Sequence, residues 1–176
     1  MYFRQHALKI ILGIEDFRSI PHAALQALKD GFDTPSLYIL AGLSKYDDTF
    51  DIRHYYDIAL HELGIELPDK RTAAIEIALS IADEIFDNKR DIIEGSWDIK
   101  RIAIDAYPFY EESKHYCYDS IHFEKIYGIL DQINELRHAH QQWQPAKTNA
   151  ELEQEYSVPL MNELRKWYTL MKVTIK

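Results

Sequence analysis

Apolar residues along this chain recur at intervals of three and four, the spacing that gathers side chains onto one face of an α-helix. From Phe50 to Leu63 the positions Ile52, Tyr56, Ala59 and Leu63 define such a face, and Gly64 follows as a stop. After Asp69, the stretch Lys70 to Phe86 carries two adjoining stripes, Ala74, Ile77, Ile81 and Ile85 beside Ile75, Leu79, Ala82 and Phe86. So broad an apolar arc predicts a central helix that leaves Glu76, Ser80, Asp83 and Asp87 for water. A turn over Asp87 to Gly95 then leads to Ser96, placed to cap a helix from Trp97 to Ala106 that Pro108 stops. The longest predicted helix runs from Asp119 to about Ala139. Thr148 and Glu151 spell a capping box opening a short helix, and Ser157 with Pro159 restarts the chain into Val158 to Met171, with Leu160, Leu164, Trp167 and Met171 as its stripe. Only Lys172 to Lys176 has the β-branched flavour of a strand.

The stretch AALQALKDGFDTPSLYILAGL, Ala23 to Leu43, reads as two helices joined by a very short turn. Gly31 supplies the left-handed residue on which helices commonly end, Asp33 or Thr34 offers a side-chain oxygen to the next orphan N–H groups, and Pro35 sits where its missing N–H costs nothing. This hairpin, with IALHELGIELPDK at Ile58 to Lys70, resembles an uncharacterised bacterial all-helical family over roughly the first half of the chain. The shared residues pack and cap, so the resemblance implies fold and transfers no active site; small acidic helical proteins of this type include immunity and antitoxin-like partners. The helical pairs predict one all-α domain over residues 1–176, a single-domain bundle or short HEAT-like array of about seven or eight helices.

Composition agrees with a folded chain: 176 residues, 47% apolar, with 6 Gly and 6 Pro. The single Cys117 excludes an intrachain disulfide, and no apolar run approaches the length of a membrane span, so a cytoplasmic protein without membrane contact is expected. Charge is more selective. With 29 Asp and Glu against 20 Lys and Arg the formal net charge is −9, and the basic residues are scattered singly or in pairs such as Lys70-Arg71 and Lys100-Arg101. That repels phosphate backbones and argues against nucleic-acid binding, while favouring a basic protein partner or, more commonly, simply solubility. The absence of clustered glycines, GxSxG or CxxC leaves no nucleotide or hydrolase signature, and no cofactor is expected.

Carboxylate and histidine spacing is the sharpest candidate chemistry. Asp51 and His54, Glu112 and His115, Asp119 and His122, and Glu135 and His138 are each three apart, and two Glu-x-x-His pairs can hold a di-metal site in a bundle. Helical phase opposes this: Phe123, Ile126, Leu130 and Ile133 mark the buried side of the long helix, which puts Glu124, Asp131, Glu135 and His138 toward water. His61-Glu62-Leu63-Gly64-Ile65 begins like a zinc-protease helix but has Ile65 where the second histidine belongs. His54 and His61 lie about 10 Å apart along a helix, too far for one ion, and His138 and His140 point to different sides. Cys117 stands between His115 and His122, but the acidic Glu111, Glu112 and Asp119 oppose a second negative charge beside them, so it is read as a small buried residue.

What remains is Tyr107 to Asp119, which sets Tyr107, Phe109, Tyr110, Tyr116 and Tyr118 around Glu111 and Glu112 in a predicted loop. Tyrosines offer contact area at low rotamer cost, and carboxylates beside them receive Arg or Lys, so these seven residues form the candidate partner-binding surface. The same aromatics suit, somewhat better, a role folded inward over the end of the bundle. Tyr55, Tyr56 and Trp143 are further candidate surface aromatics. The reading is a non-enzymatic protein-binding protein, immunity- or antitoxin-like, that occludes a basic partner. Its rivals are a metal-dependent enzyme built on Glu112, His115, Glu135 and His138, and a helical scaffold; the oligomeric state is left open.

Overall fold

The computed structural model describes residues 2–139 and 146–175, so Trp143 and His140 lie outside the described residues. The protein is all-α, with no strand among the described residues, and it divides into two compact units, Met1–Ala74 and Ile75–Lys176.

The first unit contains α1 (Tyr2–Leu12), α2 (Ile20–Lys29), α3 (Pro35–Gly42) and α4 (Thr49–Glu62). Each helix packs on its neighbour in sequence, and α2 also meets α4. Phe3 and Ala7 of α1, Ile20 and Ala24 of α2, Leu37 and Leu40 of α3, and Ile52 and Tyr56 of α4 close one core. Burying each of the large aliphatic members contributes roughly 1.5–3 kcal/mol. α1 escaped the sequence reading, although Phe3 and Ala7 already stand one turn apart on its buried face.

The predicted stops hold. Gly31 has φ +90°, its N–H donates to Leu28 O, and the Phe32 N–H donates to Ala27 O. This paired bonding, the Schellman motif, recurs at Gly64, where the bonds run from Gly64 to His61 and from Ile65 to Leu60. The start of α3 is handled differently from expectation. Thr34 is the N-cap but makes no side-chain cap bond; the Ser36 N–H instead donates to Glu62 Oε2 at 3.1 Å, across from the last turn of α4. A carboxylate is worth more than a hydroxyl at a helix N-terminus because it also meets the positive end of the dipole.

α5 (Lys70–Phe86) begins in the first unit and continues into the second, with the predicted bounds and with Asp69 Oδ1 accepting the Thr72 N–H at 2.7 Å. Nine of its apolar side chains are buried, while Asp83 and Asp87 are exposed and Glu76 and Ser80 are half-buried. The second unit adds α6 (Ile92–Asp98), α7 (Phe109–Glu112), α8 (Glu124–Arg137) and α9 (Asn149–Thr174), with α6, α8 and α9 in mutual contact.

Several expectations change here. Ser96 is not a cap: Asp91 caps α6, accepting the Ile93 and Glu94 N–H groups at 2.9 Å, and Ser96 lies inside the helix, fully buried, its hydroxyl without a partner. Gly95 likewise lies inside α6, where it admits the Ile85 side chain rather than ending a turn. The long helix starts at Glu124, not Asp119, because Asp119 is engaged in the preceding loop. Finally, Pro159 does not restart a helix. α9 runs unbroken for 26 residues, opened by the Thr148 and Glu151 capping box. Leu152, Tyr156, Leu160, Leu164, Trp167 and Met171 form one buried stripe through it, and this continuous packing outweighs the roughly 3 kcal/mol that an interior proline costs. Lys172 to Thr174 belong to the same helix rather than to a strand.

Candidate functional site

Past Asp98 the helical path of α6 widens into a π-helical turn over Ile99–Ala103, tightens into a 3₁₀ turn over Ile104–Ala106, and breaks at Tyr107, whose backbone is extended as the residue before Pro108 requires. The segment from there to Phe123 is the candidate surface.

Its aromatics divide between the two roles open to them. Phe109 is fully buried and lies 4.7 Å from the Tyr107 ring, and the Tyr107 hydroxyl donates to Glu112 Oε1 at 2.8 Å. Tyr118 is half-buried, edge-on to Tyr127 at 5.1 Å, with its hydroxyl 3.3 Å from Asp105 Oδ1. Tyr110 and Tyr116 instead point outward, 65% and 72% exposed, and Glu111 is exposed beside them. Of the seven predicted residues, then, Tyr107, Phe109, Glu112 and Tyr118 build the support, and Tyr110, Glu111 and Tyr116 are presented to solvent.

The support is polar as well as apolar. Asp119 accepts three successive backbone N–H groups, from Lys114 at 3.0 Å, His115 at 2.8 Å and Tyr116 at 3.1 Å. Those bonds hold its carboxyl below the ordinary carboxylate range. Ser113 Oγ accepts the Tyr118 N–H at 2.9 Å and lies 3.1 Å from Phe109 O, to which Ser120 Oγ also donates at 3.2 Å. Tyr118 and His122 adopt left-handed backbone conformations, φ 65° and 55°, that ordinary residues seldom occupy. Downstream, the buried Trp167 indole N–H donates to Ile121 O at 2.9 Å, fixing the end of the loop to α9. Lys100 completes the underside: its ammonium reaches both Asp105 oxygens, at 2.8 and 3.0 Å, and stands 5.9 and 5.8 Å from the Tyr118 and Tyr127 ring centres. Partial burial pulls the Lys100 pKa down, but the Asp105 bonds prevail and raise it above the usual lysine value. Tyr118 is pushed up, by burial first, with Lys100 working against the rise and Asp105 adding to it.

The metal reading finds no such support. Glu112 is taken by Tyr107, His115 is exposed, and Glu135 on α8 and His138 just past its end are exposed, as the phase argument required. Among the described residues no group of three His, Cys, Asp or Glu is placed to hold an ion. Cys117 is exposed, not buried as expected, because the loop turns it outward between Tyr116 and Tyr118.

Two features were missed in the sequence. Glu124 was assigned to water, yet one carboxylate oxygen, Oε2, is enclosed and has no hydrogen-bond partner. Tyr46 and Phe50, in the first unit, are 86% and 75% exposed, more than any aromatic of the predicted loop. The signal for Phe50 was present, since it lies off the face of α4 that carries Ile52, Tyr56 and Ala59. No described helix is long and apolar enough to cross a membrane. Comparison with protein families, curated proteins and solved structures finds no match.

Proposed function

We propose that this chain is a non-enzymatic protein-binding protein, immunity- or antitoxin-like in its action, whose second unit engages a basic surface of its partner through Tyr110, Glu111 and Tyr116. The observation that carries the reading is a pair of outward tyrosines, Tyr110 on the short α7 at 65% exposure and Tyr116 at 72% on the loop whose backbone the Asp119 carboxylate pins. Ordering is done before binding, so little conformational entropy is lost on contact. A net charge of −9 steers a basic partner inward over distance, and two rigid aromatics desolvate on arrival.

The experiment is capture of the partner with the tagged chain from the native host's lysate, elution in salt steps, and kinetics with the purified pair. Raising salt is expected to slow association far more than it speeds dissociation. Exchanging Glu111 for Lys is expected to slow association, and Tyr110→Ala with Tyr116→Ala to speed dissociation at least tenfold, as loss of central aromatics does. Unchanged rates in both variants overturn the assignment of this surface.

A further inference from the structure

α9 is charged in two halves. From Asn149 to Glu163 every charged residue is acidic, Glu151, Glu153, Glu155 and Glu163, and from Leu164 to Thr174 every one is basic, Arg165, Lys166 and Lys172. The helix dipole favours this order, but it acts within the first and last turns, whereas Glu155 and Lys166 stand in the interior of the 26-residue helix. Internal pairing does not absorb the charge either: Glu155 meets Lys147 and Lys166 meets Glu163 at the protein surface, where such pairs are worth little.

Away from the buried stripe, one row of exposed residues runs along the helix. Glu151, Glu155 and Val158 precede Asn162 by eleven, seven and four positions, and Lys166 and Val173 follow it by four and eleven. Such intervals keep side chains on one helical face. Val158 and Val173 are 68% and 72% exposed, and Glu151 and Glu155, four apart, repel each other along the helix. The row is therefore balanced in position about Asn162 and opposite in charge on its two sides.

We infer that this face of α9 pairs with α9 of a second copy of the chain, antiparallel, about a two-fold axis at Asn162. Two-fold symmetry demands a self-complementary surface, each contact occurring twice, and an antiparallel pairing lays the acidic half on the basic half of the other copy. Glu155 then stands beside Lys166 of the second copy, whose aliphatic stem covers Val158. A parallel pairing sets acid on acid and base on base. A foreign basic helix complements only the first half of the row and an acidic one only the second, so charge selects the chain itself as occupant. A single helix pair about 33 Å long lies at the small end of specific interfaces, so the association is weak and depends on concentration. It does not rest on the protein-binding reading above, which concerns Tyr110, Glu111 and Tyr116.

The test is sedimentation equilibrium of the full chain over a concentration series. A monomer–dimer equilibrium that moves several-fold toward monomer at high salt is expected. Glu155→Lys and Lys166→Glu each bring like charges together at two symmetric contacts and are expected to weaken the dimer about tenfold. Both positions are exposed, so the variants are expected to unfold in urea as the parent does. Mixing the two variants is decisive: one chain is basic at both positions and the other acidic at both, so a mixed dimer of parent-like affinity forms. A parent that stays monomeric up to about 1 mM overturns the inference. So does a dimer whose affinity neither reversal changes, or a pair of variants that fails to associate on mixing.

Discussion

Replacing Gly95 by Ala tests whether α6 truly approaches α5 as closely as its missing side chain allows. A Cβ built on Gly95 would stand 2.6 Å from Ile85 Cγ1, 2.7 Å from its Cδ1 and 3.1 Å from Arg90 Cδ. Carbon atoms rest at about 3.5–4.0 Å, so the overlap is about 1 Å. Ile85 is 1% exposed, and Cγ1 is the stem of the side chain rather than its free end. Overpacking of this kind costs about 1–3 kcal/mol, against the roughly 1 kcal/mol that Ala gains over Gly inside a helix. The net expectation is a loss of about 1–2 kcal/mol in Gly95→Ala. In the background of Ile85→Ala, which alone costs about 2–5 kcal/mol, both close atoms are gone and the sign should reverse to a gain of about 1 kcal/mol. The coupling between the two sites is therefore about 2 kcal/mol or more. All three tryptophans, Trp97, Trp143 and Trp167, belong to the second unit, so urea unfolding followed by tryptophan fluorescence reads that unit directly. Gly95→Ala that stabilises the parent, or that has the same effect in both backgrounds, refutes the close packing.

Other consequences are simpler to state. Ser96→Ala should raise the stability of the second unit by about 1 kcal/mol, because it removes a buried hydroxyl without a partner; were Ser96 a cap, the same change would cost about that much. Tyr56→Phe should stabilise the first unit by about 1 kcal/mol, since the hydroxyl is buried without a partner while the ring contacts to Phe3 and Phe17 survive. Burial, reinforced by the Asp57 charge, pushes the Tyr56 pKa up to about 12, so in an alkaline absorbance titration its phenolate signal near that pH should vanish in Tyr56→Phe. His6 is buried with Nδ1 lacking a partner and Nε2 2.9 Å from Ser19 Oγ; burial lowers its pKa, Lys9 and His22 add to the lowering, and Glu15 opposes it. The fold thus prefers neutral His6, and its contribution is present above the unfolded value of 6.5 and lost as pH falls below it. Hydrogen exchange of α2 amides should show protection falling as pH drops below 6.5, with a shallower slope in His6→Leu. Asp119→Ala should loosen the loop, seen as faster exchange at Lys114, His115 and Tyr116, without unfolding α8.

Local signals were the readable ones. Gly31 and Gly64 terminate helices by a backbone conformation that few other residues share, and the Thr148 and Glu151 box is a contact within one turn, so short words in the sequence suffice for both. Gly95, Ser96 and Pro159 use residue types that usually punctuate helices, yet stand inside them. In each case a distant surface decides: the Ile85 side chain against Gly95, complete burial around Ser96, and the unbroken stripe from Leu152 to Met171 past Pro159. The candidate site shows the same division. Its aromatic content was evident, but which rings turn inward depends on bonds that skip along the chain, such as Ser113 to Tyr118 and Trp167 to Ile121. Glu124 was misjudged because helical phase gives the direction of a side chain and says nothing of what encloses its carboxylate.

The order in which helices find their neighbours bears on how the chain matures during synthesis. In the first unit α1 meets α2, α2 meets α3 and α3 meets α4, so each hairpin can dock as soon as its second helix leaves the ribosome, with little loop entropy to overcome. The second unit has no such stepwise route. Trp167 secures Ile121 from 46 residues away, and Tyr168 reaches back 85 residues to Asp83, both from α9, which follows α8 in the chain. Until α9 is released, α6 and α8 have each other but lack the α9 stripe they close against, and a nascent chain stalled or truncated before Asn149 would expose that apolar surface to chaperones and proteases.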